Sequence, residues 1–415
     1  MTPDQRVACC IAGCGPAGAM LGLLLARAGL EVVVLEKHAD FLRDFRGDTI
    51  HPSTLEIMDE LRLADQFLQL PHVEVRRIAF RLPNADSVGV DFTSLHTRFP
   101  FIAFVPQWDF LDFVTQEAAR YDGFRLVMEA EVQSLLEADG QVCGLQYRTP
   151  EGAGEVRAAL TVGADGRSSV TRAAARLPLV ETSPPMDVVW FRLSRRPDEP
   201  ENPGLNLTPG HFAAVINRRD YWQVAWAIPK GDFEHVRQAG LDAFRGSVAS
   251  TLPALADRVT ELQDWEQLKL LTVRADRLRR WYRPGYLAIG DAAHAMSPIA
   301  GVGINIAIQD AVEAANLLWR PLRQGRVTTQ ELARVQRRRE LPVRLTQTFQ
   351  ALLQDQVLKP TLSGHTPALV PAVAGWLLRA PLVRNVPARL LGFGLWRPHV
   401  HTLGLALQRA RPAGR

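Results

Sequence analysis

The sequence predicts an α/β protein that begins with a βαβ unit. Two observations predict this fold class. Residues 7–35 divide into an apolar strand, a glycine-bearing helix and a Val-rich strand. Apolar strands that run directly into glycine and aspartate recur at residues 160–166 and 286–291. The chain of 415 residues, of which 47% are hydrophobic, is long enough for two or three domains with sizeable cores.

A membrane span or a secretory signal is the competing interpretation of the N-terminus. No charged residue occurs between positions 7 and 26, and roughly 20 apolar residues can cross a bilayer. Against both interpretations, four glycines and Pro16 weaken a helix in this run, and Asp4 leaves little positive charge ahead of it. The run also divides into a strand at Val7–Ile11, a helix at Pro16–Ala28 and a second strand at Glu31–Leu35.

Three glycines lie at the first turn of this unit, namely Gly13, Gly15 and Gly18. In a dinucleotide-binding unit, one such glycine makes the tight turn, one lets the backbone approach a pyrophosphate, and one lets the helix pack on the strand. The helix N-terminus then offers free N–H groups to the phosphates. Glu36 ends the second strand about 20 residues downstream, where a carboxylate accepts hydrogen bonds from a ribose diol. Together these features predict a dinucleotide site.

Two later stretches carry related chemistry. Asp165 and Gly166 end an apolar strand and open a helix, near the sheet edge where ligands bind, although a simple Asp-Gly turn explains them equally well. Gly290 and Asp291 follow the apolar strand "YLAI", and the Asp291 carboxylate can bond a polyol hydroxyl. The loop that follows contains His294, Pro298, Gly301, Gly303 and Asn305. Two glycines before a helix expose backbone N–H groups to a ligand, whereas a lone histidine is more often structural than catalytic.

Charge and cysteine usage argue against several classes of function. The formal net charge is +4, from 48 basic and 44 acidic residues, and no basic stretch with interleaved aromatic residues stands out, so nucleic-acid binding is not expected. The four cysteines show neither a zinc spacing nor a disulfide framework, so no metal site is expected. A reduced, cytoplasmic setting fits this cysteine usage.

The rest of the chain alternates strands and helices before it becomes mainly helical. We predict a helix from Pro52, strands around a turn at 73–92, a helix within 105–121, a hairpin turn at Asp139–Gly140, a hairpin at 212–231, helices at 239–268 and a long helix that ends near 318. Residues 178–209 are rich in Pro, Asp and Arg, which predicts a domain boundary or an excursion.

With these motifs in hand, the chain resembles the single-component FAD-dependent aromatic monooxygenases, the p-hydroxybenzoate hydroxylase-like flavoproteins. The resemblance rests on GCGPAG at 13–18, GADG at 163–166 and GD at 290–291, in that order and at the expected separations, and it covers about residues 5 to 340. It implies a Rossmann-like FAD-binding domain interleaved with a β-sheet substrate domain, followed by a helical C-terminal region. The implied FAD domain takes residues 1–72, 98–178 and 268–340, the substrate domain 73–97 and 179–267, and the helical region 341–415.

The resemblance also implies which residues would bind FAD. Glu36 would hold the adenosine ribose, and Asp291 would hold the ribityl chain. Arg46 and Gln107 would touch the FAD, and Asp165 would lie near FAD and the nicotinamide cofactor. The implied set of cofactor-binding residues is Gly13, Gly15, Gly18, Glu36, Arg46, Gln107, Asp165, Gly166, Gly290, Asp291, Pro298, Gly301, Gly303 and Asn305, of which the last four would face the isoalloxazine.

The activity implied by the resemblance is the hydroxylation or epoxidation of an aromatic or quinone-like small molecule. NADPH or NADH would reduce the FAD, O2 would form a flavin C4a-hydroperoxide, and this species would attack the ring. "RDYWQV" at 219–224 resembles a family strand with a flavin-contacting arginine and a substrate-side tyrosine, which maps to Arg219 and Tyr221, although Trp222 and Trp226 fit a core role equally well. His51, His211 and Tyr221 are the candidates for a catalytic base.

Alternative functions stay open at this point. One is an FAD-dependent reductase or dehydrogenase without oxygen insertion, and another is a flavin binding protein without turnover. A flavin halogenase is a third, although "VAWAIP" at 224–229 has Val224 where the halogenase motif has Trp. Residues 357–415 are apolar and arginine-rich, and they fit either a helical cap or a peripheral membrane contact that collects a lipophilic substrate. Polyketide phenols, quinolones and polyprenylated quinols are the candidate substrates, and the oligomeric state is open.

Overall fold

Two large sheets organise the chain. The computed structural model describes residues 6–42, 49–81, 88–182, 184–199, 204–365 and 385–402. The strands are β1 (Val7–Ala12), β2 (Val32–Leu35), β3 (Thr49–Ile50), β4 (Val73–Val75), β5 (Arg77–Arg81), β6 (Val88–Asp91), β7 (Ile102–Phe104), β8 (Phe124–Val127), β9 (Glu131–Ala138), β10 (Gln141–Thr149), β11 (Gly152–Gly163), β12 (Leu179–Thr182), β13 (Met186–Ser194), β14 (Gly204–Thr208), β15 (His211–Asn217), β16 (Tyr221–Pro229), β17 (Lys269–Leu271), β18 (Ala275–Leu278), β19 (Tyr282–Arg283) and β20 (Tyr286–Ala288).

The helices complete the inventory of the described residues. They are α1 (Pro16–Arg27), α2 (Pro52–Glu60), α3 (Ala64–Phe67), α4 (Gln107–Ala118), α5 (Val170–Ala174), α6 (Phe233–Gln238), α7 (Leu241–Thr251), α8 (Gly303–Arg323), α9 (Thr329–Leu353), α10 (Lys359–Leu362) and α11 (Val386–Phe393). Short 3-10 helices lie at Phe92–Ser94, Pro253–Glu261, Trp265–Gln267, Gly290–Ala292 and Ile299–Gly301, and a π-helical turn at Gln354–Leu358 joins α9 to α10.

The first sheet has eight strands and a parallel, Rossmann-like centre in the order β20–β11–β1–β2–β8. The predicted strand, helix and strand of residues 7–35 are confirmed as β1, α1 and β2. Three strands end at the same level, because Ala12 pairs with Gly163 and Gly163 pairs with Ala288. The motifs that follow these strands therefore meet at one edge of the sheet, where ligands bind in open α/β folds.

Helix α1 explains why the N-terminus resembles a membrane segment. Every residue from Ala17 to Ala26 is buried, because α1 lies on the parallel strands and is covered by α4 and α8 on its other sides. A helix that is apolar all round is either a membrane span or the centre of a large core, and here it is the centre of the core. None of the helices in the described parts of the chain is long and apolar enough to cross a membrane.

The second sheet has seven strands in the order β17–β13–β16–β15–β14–β5–β6, and all neighbours are antiparallel except β14 and β5. It joins two distant parts of the chain, because Gly204 on β14 pairs with Ala79 on β5. One of its faces packs against α7 through a core that includes Phe191, Trp222 and Trp226. The two tryptophans are therefore core residues, and the opposite face of the sheet is left to line a cavity.

Residues 178–209 are more regular than the prediction of a boundary or an excursion. They contain β12, β13 and β14, and β13 pairs with both β16 and β17 inside the second sheet. The strand pattern is obscured because residues 186–191 of β13 are nearly all apolar, so they lack the polar alternation that marks a half-exposed strand. The Pro-, Asp- and Arg-rich residues follow the strand, in the connection to β14.

Several local predictions are confirmed. The turn between β9 and β10 has positive φ at both Asp139 (51°) and Gly140 (74°), which suits a two-residue hairpin loop. The hairpin predicted at 212–231 is formed by β15 and β16, and the helix predicted from Pro52 is α2. Cys9, Cys10 and Cys14 are buried, and burial raises the pKa of the Cys10 thiol to about 12, so they are inert apolar residues.

Candidate active site

A single cavity of about 1520 Å³ lies between the two sheets and collects most of the predicted site residues. Typical small-molecule pockets have about 300–1,000 Å³, so this one has room for a large cofactor and a second molecule. The predicted residues that line it are Gly13, Gly15, Glu36, His51, Gln107, Asp165, Gly166, Asp291, Pro298, Gly301, Gly303 and Asn305. They come from six separate segments of the chain, which the fold brings together.

The first glycine motif forms a cradle at the start of α1. Gly13 has φ +90°, and a Cβ there would lie 2.6 Å from the carbonyl oxygen of Ala164, so this turn needs glycine. A Cβ on Gly18 would lie 2.0 Å from the carbonyl oxygen of Gly13, which keeps Gly18 in packing rather than in the cavity wall. Gly15 faces open space, and α1 begins behind it with no side-chain cap. The free N–H groups of this helix end can therefore receive a phosphate.

Glu36 is fixed beside this cradle at the end of β2. Its Oε2 accepts a hydrogen bond from the backbone N–H of Cys14 at 3.0 Å, and its Oε1 accepts one from the N–H of His38 at 3.3 Å. The carboxylate is thus oriented by the loop that precedes α1 and still lines the cavity. A carboxylate in this position can accept hydrogen bonds from ribose hydroxyls.

Asp165 caps the next helix and ties the second motif to the sheet. Its carboxylate accepts hydrogen bonds from Ser169 Oγ at 2.6 Å, from Thr171 N at 3.0 Å and from Thr171 Oγ1 at 2.8 Å. Thr171 Oγ1 also contacts the hydroxyl of the buried Tyr286 on β20 at 2.9 Å. The Asp-Gly pair is therefore a structured turn that borders the cavity, with Gly166 at φ +81°.

Arg167 joins the Asp165–Gly166 turn to the Gly290–Asp291 turn, and the sequence analysis missed it. Its Nε donates a hydrogen bond to Asp291 Oδ2 at 3.1 Å, both side chains are about 30% exposed, and both line the cavity. The signal in the sequence was an arginine directly after the Asp-Gly pair, but only the strand register places it opposite Asp291.

A network of buried charged groups holds the Gly290–Asp291 turn in place. Asp310 on α8 accepts hydrogen bonds from Gly290 N, from His294 Nε2 at 2.5 Å and from Arg339 Nε at 2.8 Å. Burial raises the pKa of Asp310, but the charges and hydrogen bonds of His294 and Arg339 outweigh it and hold that pKa below its usual value. His294 is therefore structural, and Gly290 contributes a backbone contact rather than a cavity wall.

The loop before α8 presents backbone to the cavity. Pro298, Gly301 and Gly303 line it, and α8 begins at Gly303 with no side-chain cap. Thr49 Oγ1 donates a hydrogen bond to the carbonyl oxygen of Gly301 at 2.7 Å. Asn305 Nδ2 donates to the carbonyl oxygen of Thr49 at 2.9 Å. These bonds attach the loop firmly to the segment around β3.

His51 lies next to this loop and is 1% exposed. Its backbone N–H donates to Asn305 Oδ1 at 2.9 Å, and its Nδ1 is 2.7 Å from the carbonyl oxygen of Leu391 on α11. Nε2 has no hydrogen-bond partner among the described residues. Burial lowers the pKa of His51 to about 4, so the ring is neutral at pH 7.

Arg219 and Tyr221 are not among the described residues that line the cavity, although the sequence analysis placed them there. Arg219 is exposed in the turn between β15 and β16, at φ 67°, and Tyr221 lies under the guanidinium of Arg192 at 4.8 Å. Arg218 lines the cavity instead, as Ile216 does. The two are two residues apart, and side chains at that spacing in extended backbone point to the same face. Desolvation lowers the pKa of Arg218 to about 10, which still leaves it charged at pH 7.

The remaining predicted residues are Gly18, Gly290, His211 and Arg46. Gly18 and Gly290 lie beside the cavity in packing positions, as described above. His211 packs against the Trp226 ring at 5.0 Å and is absent from the described cavity lining. Arg46 lies outside the described residues.

The second sheet contributes an apolar platform, which no motif had indicated. One row across four paired strands is Trp190, Ala225, Ala214 and Leu205. The next row is Val188, Ala227, Phe212 and Leu207. Adjacent alanines leave a depression between larger neighbours, and Arg218 lies directly after the end of β15. We call these eight residues the platform.

Comparisons with known proteins identify the family of the chain. The family model described as FAD binding domain matches residues 6–347. The 6-methylpretetramide 4-monooxygenase of Streptomyces rimosus is 29% identical over 385 residues, which are 92% of this chain and 91% of that protein. The 12-dehydrotetracycline 5-monooxygenase/anhydrotetracycline 6-monooxygenase of the same species is 28% identical over 337 residues, 75% of this chain but only 61% of its own length. A crystal structure of pqsL, a probable FAD-dependent monooxygenase from Pseudomonas aeruginosa, shares the fold with a TM-score of 0.74 at 20% identity, covering 86% of this chain and 98% of that one.

Proposed function

The chain belongs to the FAD binding domain family and is an FAD-dependent monooxygenase, and we propose that it inserts oxygen into a fused-ring aromatic molecule of the polyketide type. The observation that carries this proposal is the platform, whose paired alanines leave an apolar depression opposite the cofactor site. Two relatives are named for 6-methylpretetramide and anhydrotetracycline, and the second name denotes a compound with four rings. Both observations favour a wide, flat substrate over a simple phenol.

The residues at the sheet edge fit FAD, and we propose the following roles. The uncapped start of α1 beside Gly15 would hold the pyrophosphate, and Glu36 would hold the adenosine ribose. Asp291, oriented by Arg167, would bind the ribityl hydroxyls. Bound FAD, reduced by NADPH or NADH, supplies the reactivity toward O2. The uncapped start of α8 would face the ring system and favour negative charge on it.

The chain itself would position the substrate and exclude water. The apolar platform would bind the fused rings, and its neighbour Arg218 would balance the charge of an ionised ring hydroxyl or enolate. The cavity is lined mostly by apolar side chains, which keeps water from the reacting atoms. We also propose that the eight-stranded sheet forms the core of the FAD domain and the seven-stranded sheet the core of the substrate domain, interleaved as the sequence suggested.

The alternatives are less well supported. Val224, where a halogenase would have its first Trp, packs in the core on the face of β16 away from the cavity. Relatives named as monooxygenases favour oxygen insertion over a reductase or a dehydrogenase. Peripheral membrane contact through residues 357–415 stays a prediction, as does the cytoplasmic location, and residues 366–384 and 403–415 of that region lie outside the described structure.

The test is NAD(P)H-dependent uptake of O2 by the purified protein loaded with FAD, with peroxide monitored, across anhydrotetracycline, simple phenols, quinolones and quinols. We expect anhydrotetracycline or a similar fused-ring compound to stimulate uptake without matching peroxide, and mass spectrometry to find oxygen from labelled O2 in the product. Reduction or oxidation of a substrate without O2 would instead establish the reductase or dehydrogenase alternative.

The proposal that the platform binds a wide, flat substrate can be tested with a substitution that fills its depression. In Ala225→Phe the new ring should occupy the space between Trp190 and Ala214, so turnover of fused-ring compounds should fall at least tenfold while FAD affinity stays unchanged. Val224→Ile is the matched control, because the neighbouring side chain faces the other core. Equal turnover of fused-ring compounds by Ala225→Phe and the wild type would argue against the platform as the substrate site.

A further inference from the structure

We infer that Gln350 on α9 is a positioning residue for the bound flavin. Its side-chain amide fixes two carbonyl groups of the loop at residues 297–301, and this turns the N–H of Ala300 toward the cavity, where it donates a hydrogen bond to the flavin ring system. The inference rests on the proposed placement of the ring against this loop, and it names the residue that holds the loop in shape. Gln350 acts through the backbone and needs no contact with the cofactor.

The inner face of α9 carries amide groups at positions where a helix usually has apolar residues. Four glutamines lie along this face and into the π-helical turn that follows α9, at spacings of eleven, three and four residues that place them on one side. Each of their Nε2 atoms donates to an oxygen of the segment between residues 276 and 299. This irregular segment thus receives from side chains the hydrogen bonds that a helix or a sheet would supply. We call these residues the glutamine row, namely Gln336, Gln347, Gln350 and Gln354.

Gln350 is the member of the row that holds the cavity loop. It is 3% exposed, and its Nε2 donates to the carbonyl oxygens of Ser297 at 3.0 Å and Ile299 at 2.9 Å. These two bonds use both hydrogens of the amide. The bond from Thr49 to the carbonyl oxygen of Gly301 holds the other end of the loop. The loop is therefore fixed at both ends by groups that come from distant parts of the chain.

The peptide unit between Ile299 and Ala300 takes its direction from this contact. The unit is trans, and in a trans unit the N–H points away from the C=O. Because the C=O of Ile299 is directed at Gln350, the N–H of Ala300 points away from it. Ala300 is exposed and lines the cavity, and its N–H has no hydrogen-bond partner among the described residues. This N–H is therefore available to a ligand in the cavity.

The turn at Ala300 is strained, so it needs the support that Gln350 gives. Ala300 has φ 68° and ψ 1°, in the left-handed region that is unfavourable for a residue with a Cβ. Such a conformation persists only where the surrounding structure holds it. The hydrogen bond from Gln350 to the carbonyl group directly before Ala300 is such a contact. Without it, we expect this peptide unit to turn over and to carry the N–H away from the cavity.

An N–H directed at the flavin ring system changes the redox balance of the cofactor. The ring system gains negative charge on reduction, and a fixed N–H dipole stabilises that charge more than it stabilises the oxidised ring. Gln350 should therefore strengthen the binding of reduced FAD relative to oxidised FAD. The midpoint potential of the bound cofactor reports this ratio without any turnover.

Gln350→Leu removes the amide and keeps a side chain of similar size. Gln347→Leu is the matched control, because Gln347 Nε2 also donates to two carbonyl oxygens, those of Asp276 at 2.9 Å and Ala295 at 3.1 Å. Neither of these two residues is among the described residues that line the cavity. The third variant combines Gln350→Leu with Ala300→Gly, because glycine adopts a positive φ without strain.

The midpoint potential is measured by dye equilibration on the full-length proteins loaded with FAD, without substrate. We expect Gln350→Leu to weaken the binding of reduced FAD about tenfold relative to oxidised FAD, which lowers the two-electron potential by about 30 mV. The Gln347→Leu control should match the wild type, and the double variant should recover at least half of the shift. An unchanged potential in Gln350→Leu, or equal shifts in Gln350→Leu and Gln347→Leu, would overturn the inference. If Gln350→Leu does not fold, Gln350→Met takes its place, because the flexible Met side chain fills the same space.

A further variant separates this inference from the proposed placement of the ring. Gly303→Ala adds a Cβ at the start of α8, where its nearest neighbour, Met296, would be 4.0 Å away, and it should alter the potential or the visible spectrum of FAD. If Gly303→Ala alters them and Gln350→Leu does not, only the role of Gln350 is wrong. If neither variant does, the ring lies elsewhere, and both the placement and the inference fail. A failure to oxygenate anhydrotetracycline would count against the proposed substrate class alone, because no substrate enters these measurements.

Discussion

Single residues of the glycine cradle perform different tasks although they look alike in the sequence. Gly13 has a positive φ, and a Cβ there would clash with the backbone of Ala164, so the fold requires glycine at this position. Gly15 has φ −71° and open space where a side chain would go, so the fold tolerates a larger residue there. If glycine is required at this position, we expect the requirement to come from the bound cofactor, which binding measurements would reveal.

We therefore predict opposite effects for two alanine substitutions. Gly15→Ala should leave the stability of the FAD-free protein within about 0.5 kcal/mol of the wild type, while its Cβ weakens FAD binding at least tenfold. Gly13→Ala should destabilise the FAD-free protein by about 2 kcal/mol or more, because it combines a positive φ with a backbone clash. Urea unfolding and flavin fluorescence titration measure the two quantities. Equal FAD affinity in Gly15→Ala and the wild type would place the pyrophosphate elsewhere.

Arg218 and Arg219 are adjacent residues in the turn between β15 and β16, but of the two only Arg218 is among the described residues that line the cavity. Arg218→Met should lower kcat/KM for the oxygenated substrate at least tenfold, because it removes the cation beside the platform. Arg219→Met should change kcat/KM less than twofold, because that side chain is exposed in the turn. Steady-state kinetics at saturating FAD decide between them, and a larger loss in Arg219→Met would restore the sequence-based assignment.

At the scale of elements, helices α8 and α9 are held to the Gly290–Asp291 turn by charged groups as well as by apolar packing. Arg339 on α9 and Asp310 on α8 are both 0% exposed, and Asp310 also receives the N–H of Gly290. A buried ion pair of this kind contributes little compared with apolar residues, but removing one partner leaves an uncompensated buried charge. The network thus fixes how α8, α9 and the Gly290–Asp291 turn are placed relative to one another.

Arg339→Met should accordingly reduce the free energy of unfolding by about 3–5 kcal/mol, since it removes the guanidinium and leaves the buried Asp310 carboxylate with His294 and the N–H of Gly290. The neighbouring Arg338 is the control, because its side chain is 56% exposed and reaches Glu313 only at 3.7 Å. Arg338→Met should cost less than about 1 kcal/mol. Denaturant unfolding of both variants measures the difference, and similar losses in the two would mean that the network adds nothing specific.

At the scale of the whole molecule, the cavity lies between two sheets that are built from interleaved segments. The same cavity touches strands, loops and helices from residue 13 to residue 395, so a bound cofactor contacts elements that are distant in the chain. Any ligand that binds the folded chain alone stabilises it by mass action. FAD is therefore expected to act on the stability of the entire fold.

Removal of FAD should lower the melting temperature of the whole protein in one transition. At a free FAD concentration of 100 times its dissociation constant, the stabilisation is about 2.7 kcal/mol, which corresponds to a shift of about 3 °C for a chain of 415 residues. Differential scanning calorimetry of FAD-free and FAD-loaded protein measures it, with Gly15→Ala at the same FAD concentration as the control. A shift confined to one of two separate transitions would show that the two sheets unfold independently.

The sequence determined the parts of this protein that depend on local pattern. The βαβ unit, the glycine turn, the two aspartate motifs and the hairpin at 212–231 follow from periodicity and from residues with special backbone freedom, and the structure places them as expected. The resemblance to aromatic flavoprotein monooxygenases rests on those same motifs.

Only the tertiary structure decided which side chains reach the cavity. Strand alternation turns Arg218 inward and leaves Arg219 in the turn, although the two are adjacent in the sequence. The pairing of Ala214 with Ala225, the meeting of Arg167 with Asp291 and the contact of His51 with Leu391 each join residues that are separated along the chain by 11 to 340 positions. Such contacts depend on strand register and packing of the whole molecule, because no local pattern encodes a partner so far away.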